Sequence, residues 1–107
     1  MILKETRIKN LKIIEYHSSK DERGFFCRLF CQKTLNHAVN GKIIRQINRT
    51  FTKNKGSVRG LHFQYPPYAE TKIISCLKGK VWDVAVDLRE NSRTFLQYHA
   101  ELLTEDD

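Results

Sequence analysis

The 107-residue sequence has few of the features that mark membrane, secreted and metal-binding proteins. No apolar stretch approaches the roughly eighteen residues that a membrane-spanning helix needs. The first residues alternate apolar and charged too early to form a signal-peptide core. Only three cysteines occur, Cys27, Cys31 and Cys76, without a CxxC motif. This odd count argues against a disulfide framework and a zinc site, so we expect reduced thiols in a cytoplasmic protein with no membrane partner.

The histidines give no sign of a metal motif either. His17, His37, His62 and His99 are far apart in the sequence, and none forms the close pairing that metal-binding motifs use. We therefore predict no bound metal. No repeat, low-complexity segment or linker divides the chain, and its length favours a single domain over residues 1–107.

What the sequence does have is positive charge. The 19 Lys and Arg residues exceed the 12 Asp and Glu residues, which gives a net charge of +7. Such an excess favours anionic partners, among them nucleic acids, membrane headgroups and phosphorylated small molecules. Because the basic residues are spread along the chain, they suit a pocket or a solvated face better than a nucleic-acid-binding arm.

Short apolar runs with frequent turn signals predict an all-β sandwich or barrel. The predicted strands lie in residues 1–16 (with a break near Lys9 and Asn10), 25–30, 43–51 and 57–64, and within 93–103 after a loop. Residues 32–41 predict a loop or a short helix.

The clearest predicted hairpin runs from Lys72 to Leu88 around a turn at residues 78–79. A two-residue turn would pair Ile74 with Asp83. Lys72 and Asp83 would then be diagonal neighbours on one face, roughly 7–8 Å apart at the backbone. The other face is mostly apolar and includes Trp82, which we expect in the core.

His62 is the strongest candidate for chemistry. Arg59 precedes it by three residues, Lys72 follows it by ten, and Asp83 shares the predicted face of Lys72. A base beside cations suits proton removal next to a carbonyl, where an enolate must be stabilised. In a regular strand, Arg59 and His62 would point to opposite faces, so a common site requires a bulge or bend at Gly60.

Several motifs, taken in order, resemble the dTDP-4-dehydrorhamnose 3,5-epimerase family of the cupin superfamily. They are Asp-Glu-Arg-Gly-Phe-Phe at 21–26, Gln-Ile-Asn at 46–48, Arg-Gly-Leu-His-Phe-Gln at 59–64, Lys72 and the segment 81–89. The resemblance covers about residues 8–107. It implies a double-stranded β-helix, or jelly roll, that forms a homodimer and uses no metal or other cofactor.

The resemblance also implies a nucleotide-diphosphate sugar as substrate and a role for each matched residue. His62 would remove the proton beside the 4-keto group of the sugar, Lys72 would stabilise the enolate oxygen, and Arg59 would hold the substrate. The nucleotide and diphosphate side would be contacted by Arg23, Phe26, Gln46 and Asn48, with the partner subunit as an alternative source of the first two. Asp83, assigned from the hairpin alone, would orient Lys72 or His62.

The sequence departs from the family pattern in two ways. Arg28 and Ile47 stand where the family generally has acidic residues, which leaves the nucleotide and sugar preference open. The family's proton-donating tyrosine and the carboxylate that orients its histidine lie beyond Asp107. We therefore expect a jelly roll shortened at residues 105–107, as a fragment, a truncated product or a compact form closed by dimerisation. A non-catalytic cupin module that binds a sugar nucleotide or a protein is the alternative, and a basic β-module that binds RNA or DNA is a third.

Overall fold

The structure is a computed structural model that describes residues 1–105. Its elements are β1 (Ile2–Glu5), β2 (Lys12–Glu15), β3 (Ser18–Asp21), β4 (Gly24–Cys27), α1 (Gln32–Leu35), β5 (Lys80–Val86) and β6 (Tyr98–Thr104). The regular structure is thus almost entirely β, which confirms the predicted class. The predicted shortened end includes residues 106 and 107, which lie outside the described residues.

The first two strands form an antiparallel hairpin in which Ile2 pairs with Glu15 and Glu5 with Lys12. The predicted break near residue 10 is confirmed, because Asn10 adopts a φ of 73° in the connecting turn. The hydroxyl of Thr6 donates to the carbonyl oxygens of Ile8 and Leu11 and so ties the turn together.

The next two strands, β3 and β4, pair antiparallel across a tight turn at residues 22–23, with Asp21 opposite Gly24. Gly24 has a φ of 136°, a conformation that side chains resist, so a glycine is needed where the chain reverses. The aromatic strand predicted at 25–30 is therefore present but ends at Cys27.

The predicted hairpin between residues 72 and 88 is wrong. β5 pairs with β6 instead, in an antiparallel register that sets Asp83 opposite Glu101 and Ala85 opposite His99. β6 offers seven consecutive partners with apolar cross-strand pairs such as Trp82 with Leu102, whereas residues 72–77 could offer only six. In the described residues, 72–77 form no strand.

The strands predicted at 43–51 and 57–64 are likewise absent from the described part of the chain. A strand forms only where a neighbouring edge accepts its hydrogen bonds, and these segments have no such partner within residues 1–105. Their apolar side chains remain exposed, and Ile47 and Val58 are the extreme cases at 86% and 89%.

Beyond β5, the buried carboxylate of Asp87 organises the connection to β6. Its oxygens accept hydrogen bonds from Arg89 Nε at 2.8 Å, Ser92 Oγ at 2.5 Å and Thr94 Oγ1 at 2.6 Å. Chiefly the Arg89 bond, followed by those of Ser92 and Thr94, holds the pKa of Asp87 far below its ordinary value. A charged group this deeply buried is tolerated because its acceptor positions are filled.

The described chain buries little apolar surface. Its buried hydrophobic residues are Ile8, Leu35 and Val39, while Trp82, expected in the core, is 66% exposed. The accessible area is 9849 Å², whereas a monomeric protein of this mass exposes about 6,200 Å². Many large apolar side chains of the described residues are exposed, among them Phe25, Phe51 and Tyr65.

We predict that Asp87→Asn lowers the free energy of unfolding at pH 7. Because the folded-state pKa of Asp87 lies below its unfolded value of about 3.9, its stabilisation is present above that pH and is lost as the pH falls towards the folded value. Urea unfolding between pH 7 and pH 3 should therefore show a shallower pH dependence in the variant. Glu90→Gln, at an exposed neighbouring carboxylate, is the matched control, and equal pH slopes for wild type and D87N would contradict the assignment.

Candidate active site

A cleft of about 670 Å³ lies between the β1–β2 hairpin, α1, the β5–β6 hairpin and the irregular segments at 59–63 and 71–76. Its volume falls within the range of small-molecule sites, about 300–1,000 Å³. Apolar side chains such as Ile13, Val39 and Ile74 make up much of its wall, and a few polar groups converge among them. This composition is typical of a pocket that surrounds a ligand and orients it.

Four of the predicted site residues line this cleft. Arg59 and His62 enter from the irregular segment after residue 57, Lys72 from the segment that follows the Tyr65–Tyr68 turn, and Asp83 from β5. The arrangement therefore provides a nitrogen base, two cations and a carboxylate around one space. These are the groups needed to remove a proton beside a carbonyl and to stabilise the resulting anion.

The bend predicted at Gly60 is present, and it lets Arg59 and His62 line the same cleft. Gly60 has a φ of 86°. A Cβ placed on this residue would lie 3.0 Å from Nδ1 of His62 and 3.3 Å from its backbone nitrogen. A side chain at residue 60 would thus press directly on the imidazole, so the glycine serves both the backbone and the histidine.

Both cations have polar partners within the described chain. Lys72 forms an ion pair with Glu70 at 3.1 Å, with both side chains nearly half exposed. Arg59 donates from Nε to the Thr52 hydroxyl at 3.1 Å. The hairpin that was to bring Lys72 beside Asp83 does not form, yet Asp83 reaches the cleft from the other wall. An exposed ion pair is weak, so Lys72 can exchange Glu70 for an anionic ligand.

The four remaining predicted residues do not line the cleft. Arg23 lies at the β3–β4 turn, where its guanidinium bonds the Asp21 carboxylate at 2.6 Å and lowers the pKa of Asp21. Phe26 on β4, and Gln46 and Asn48 in the extended segment, are exposed. Nothing in the described structure tests their predicted contacts with a nucleotide, and these contacts stay predictions.

Two polar pairs in the cleft were not anticipated. His99 Nε2 lies 2.9 Å from Glu101 Oε2, and the Tyr16 hydroxyl lies 3.2 Å from Ser75 Oγ. All four residues line the same space as His62. Strand parity would have found His99 and Glu101 if β5 had been paired with residues 98–104, since both then share the face of Asp83.

Other features of the described residues concern metals and membranes. Within residues 1–105, no three His, Cys, Asp or Glu side chains cluster so that they could hold a metal ion. Cys27, Cys31 and Cys76 are free thiols in the structure. No helix in this part of the chain has the length and apolar character required to cross a membrane. The absence of a cofactor stays a prediction.

Comparison with known proteins decides the family. The sequence profile described as dTDP-4-dehydrorhamnose 3,5-epimerase matches residues 5–107. The chain belongs to the dTDP-4-dehydrorhamnose 3,5-epimerase family. This confirms the resemblance found from the motifs around Arg23, His62 and Asp83.

Members of this epimerase family resemble the chain in sequence and in structure. The dTDP-4-dehydrorhamnose 3,5-epimerase of Shigella flexneri is 43% identical over 91 residues, which are 85% of this chain and 50% of that protein. The Escherichia coli K12 enzyme of the same name is 37% identical over 101 residues, 94% of this chain and 55% of that protein. The chain spans about half the length of the curated relatives it matches.

Two crystal structures of family members carry ligands. That of the dTDP-4-dehydrorhamnose 3,5-epimerase of Bacillus anthracis, with TDP and PPi bound, is 36% identical and superposes with a TM-score of 0.91, covering 98% of this chain and 60% of that chain. The second structure is that of the dTDP-6-deoxy-D-glucose-3,5-epimerase of Legionella pneumophila in complex with dTDP-4-keto-L-rhamnose. It is 36% identical and superposes with a TM-score of 0.78, and the match covers 98% of this chain and 55% of that chain. The described backbone therefore matches the corresponding part of both relatives.

We predict that Gly60→Ala displaces the His62 ring. Alanine at a positive φ costs about 1–2 kcal/mol, and the new Cβ would also meet His62 Nδ1 at 3.0 Å. Gly56→Ala is the matched control, because Gly56 has a similar φ of 81° with nothing within 4 Å of its Cβ position. Histidine ring signals in NMR spectra should shift for His62 in G60A and stay in place in G56A, although both variants lose similar stability. Unchanged His62 signals in G60A would refute the close contact.

Proposed function

We propose that this chain acts on a nucleotide-linked 4-keto-6-deoxy sugar as a 3,5-epimerase. The observation that carries the proposal is the cleft that holds Arg59, His62, Lys72 and Asp83 in a member of an epimerase family. The dTDP-4-keto-L-rhamnose bound to the Legionella pneumophila relative supports this class of substrate. The net charge of +7 suits a substrate that carries a diphosphate.

The reaction follows from the acidity of a carbon next to a ketone. His62 takes the proton from that carbon, and imidazole suits this role because it exchanges protons near neutral pH. The electrons of the broken C–H bond move onto the ketone oxygen. The Lys72 ammonium neutralises the developing charge, and Arg59 holds the substrate. Asp83, on the opposite wall, orients Lys72 or His62.

The nucleotide and diphosphate would bind outside this catalytic group. Arg23, Phe26, Gln46 and Asn48 are exposed and carry the polar, cationic and aromatic groups that such a ligand uses. Arg23 would have to exchange Asp21 for the diphosphate, which is feasible because the pair is exposed.

The fold proposed with this function is a cupin-type double-stranded β-helix, to which residues 1–107 contribute as one domain. The TM-score of 0.91 with the Bacillus anthracis epimerase supports it. We further propose a homodimer, because exposed aromatic residues such as Phe25 and Trp82 offer an apolar surface for a second copy.

We predict that His62→Asn slows exchange of the sugar's ring hydrogens with solvent deuterium by about 100- to 10,000-fold. Proton NMR of a dTDP-linked 4-keto-6-deoxy sugar in D₂O measures the rate. His17→Asn, at an exposed residue that does not line the cleft, is the control. A folded wild-type chain that binds the sugar nucleotide without any exchange would refute catalysis and favour the non-catalytic binding module.

We predict that Lys72→Met lowers kcat about 100-fold or more, as loss of an oxyanion-stabilising group does. Glu70→Gln removes only the exposed partner of Lys72 and should change kcat less than about fivefold. Steady-state assays of both variants make the comparison. Equal losses in K72M and E70Q would mean that the ion pair, not the enolate, is what Lys72 stabilises.

We predict that the chain sediments at twice its mass of 12.6 kDa. Burial of the exposed apolar surface between two copies drives the association. Analytical ultracentrifugation over a concentration series measures it, and a monomer at every concentration would contradict the homodimer.

A further inference from the structure

A second pocket, of about 490 Å³, lies between the β1–β2 turn and the connection from β5 to β6. Four of its lining side chains are cations, Arg7 and Lys9 from the turn and Arg89 and Arg93 from the connection. This basic pocket shares no lining residue with the cleft that holds His62. The proposed epimerase chemistry therefore leaves it without a role.

Most of the charge of the basic pocket is uncompensated within residues 1–105. Arg89 pairs with Asp87, but the other three cations form no ion pair with a described carboxylate. Glu90, next to Arg89 in sequence, does not line the pocket. Because like charges repel when they are brought close together, an anion that bridges these cations is favoured.

The elements that carry the cations are held in place by hydrogen bonds. Asp87, only 4% exposed, accepts from Arg89 and Ser92, and the Ser92 backbone nitrogen donates to the Arg89 carbonyl oxygen at 3.0 Å. On the other side of the pocket, Arg7 donates to the Tyr98 carbonyl oxygen at 2.6 Å. Arg7 and Arg89 are thus oriented before a ligand arrives, which lowers the ordering cost of binding.

The lining also limits the chemistry of the ligand. Among the described residues, no aromatic or aliphatic side chain lines the basic pocket, so a nucleotide base would find neither a stacking surface nor an apolar slot. The donors are guanidinium and ammonium groups with the Asn91 amide, and phosphate oxygens accept from such groups. A phosphate monoester carries about −1.5 to −2 charges at pH 7, so two linked phosphoryl groups match several cations better than one does.

We propose that the basic pocket binds a compact phosphate anion of the diphosphate class. The anion bridges Arg7 and Lys9 on one side and Arg89 and Arg93 on the other, and it joins the β1–β2 turn to the β5–β6 connection. Because it binds the folded chain across two elements, it also raises the midpoint of thermal unfolding. This site is independent of the proposed function, since none of its residues takes part in that reaction.

Lys9 and Arg93 are the residues to replace, because both are exposed and neither side chain has a hydrogen-bond or ion-pair partner within residues 1–105. Lys9→Gln/Arg93→Gln should weaken the affinity for inorganic diphosphate by about tenfold or more, since two charge-assisted contacts are lost. Arg45→Gln/Lys53→Gln, at exposed cations outside both pockets, removes the same charge and is the matched control. Its affinity should stay within about twofold of wild type, because salt screens distant charges.

Titration of the isotope-labelled full chain with sodium diphosphate, followed by heteronuclear NMR, locates the site. The backbone amide signals that shift should belong to residues 7–9 and 89–94, and the midpoint of thermal unfolding should rise over the same concentrations. Arg59→Gln removes a cation of the cleft and should leave these shifts in place. TDP carries the same two phosphoryl groups on a nucleoside: shifts of these amides with TDP as well assign the site to the diphosphate end of a nucleotide, and shifts with diphosphate alone assign it to the free anion.

Three results would overturn the inference. The first is no saturable shift of these amides up to about 10 mM diphosphate. The second is an equal loss of affinity in the two double variants, which would mean that only the overall charge attracts the anion. The third is loss of the shifts in R59Q, which would place the anion in the cleft. None of these results bears on the proposed function, which the exchange of the sugar hydrogens tests separately.

Discussion

The pairing of β5 with β6 is the interaction on which the cleft depends. It is the longest ladder in the described residues, with seven consecutive pairs from Lys80 with Thr104 to Val86 with Tyr98. Through this register, one hairpin presents Asp83, His99 and Glu101 to a single space. The rest of the lining comes from the β1–β2 hairpin, α1 and irregular segments, and the irregular segments bring Arg59, His62 and Lys72.

The irregular wall is also where apolar surface remains uncovered. A strand-like segment without a neighbour keeps its side chains in solvent, as Ile47 and Val58 show. The accessible area of 9849 Å² exceeds by about 60% the area expected for a monomeric protein of this mass. The chain spans about half the length of the curated relatives it matches.

Local patterns in the sequence predicted local features well. Alternation near the N-terminus and the polar turn before Gly24 correspond to the first two hairpins, and the need to bring Arg59 and His62 together correctly required a bend at Gly60. Strand pairing was not predictable in the same way, because alternation shows which side chains share a face but not which strand lies alongside.

The partner of β5 shows why strand pairing could not be predicted from the sequence. Residues 72–77 are near in sequence, and a two-residue turn around Gly79 looks favourable. The observed partner lies across an eleven-residue connection held by the Asp87 carboxylate, whose stabilising bonds depend on Arg89, Ser92 and Thr94 together. Such a cluster is recognisable only once the chain is folded. For this reason, His99 and Glu101 were missed, while His62 was found from its neighbours in sequence.

The connection between β5 and β6 is closed by backbone hydrogen bonds, so its length affects which side chains line the cleft. The Asp87 backbone nitrogen donates to Gln97 and its carbonyl oxygen accepts from Leu96, so the number of residues between these points sets the strand register. Insertion or deletion of one residue there would slide β6 by one position. An insertion would set Tyr98 and Ala100 in the places of His99 and Glu101, and a deletion would set Ala100 and Leu102 there, so a change in loop length would become a change in the chemistry of the wall.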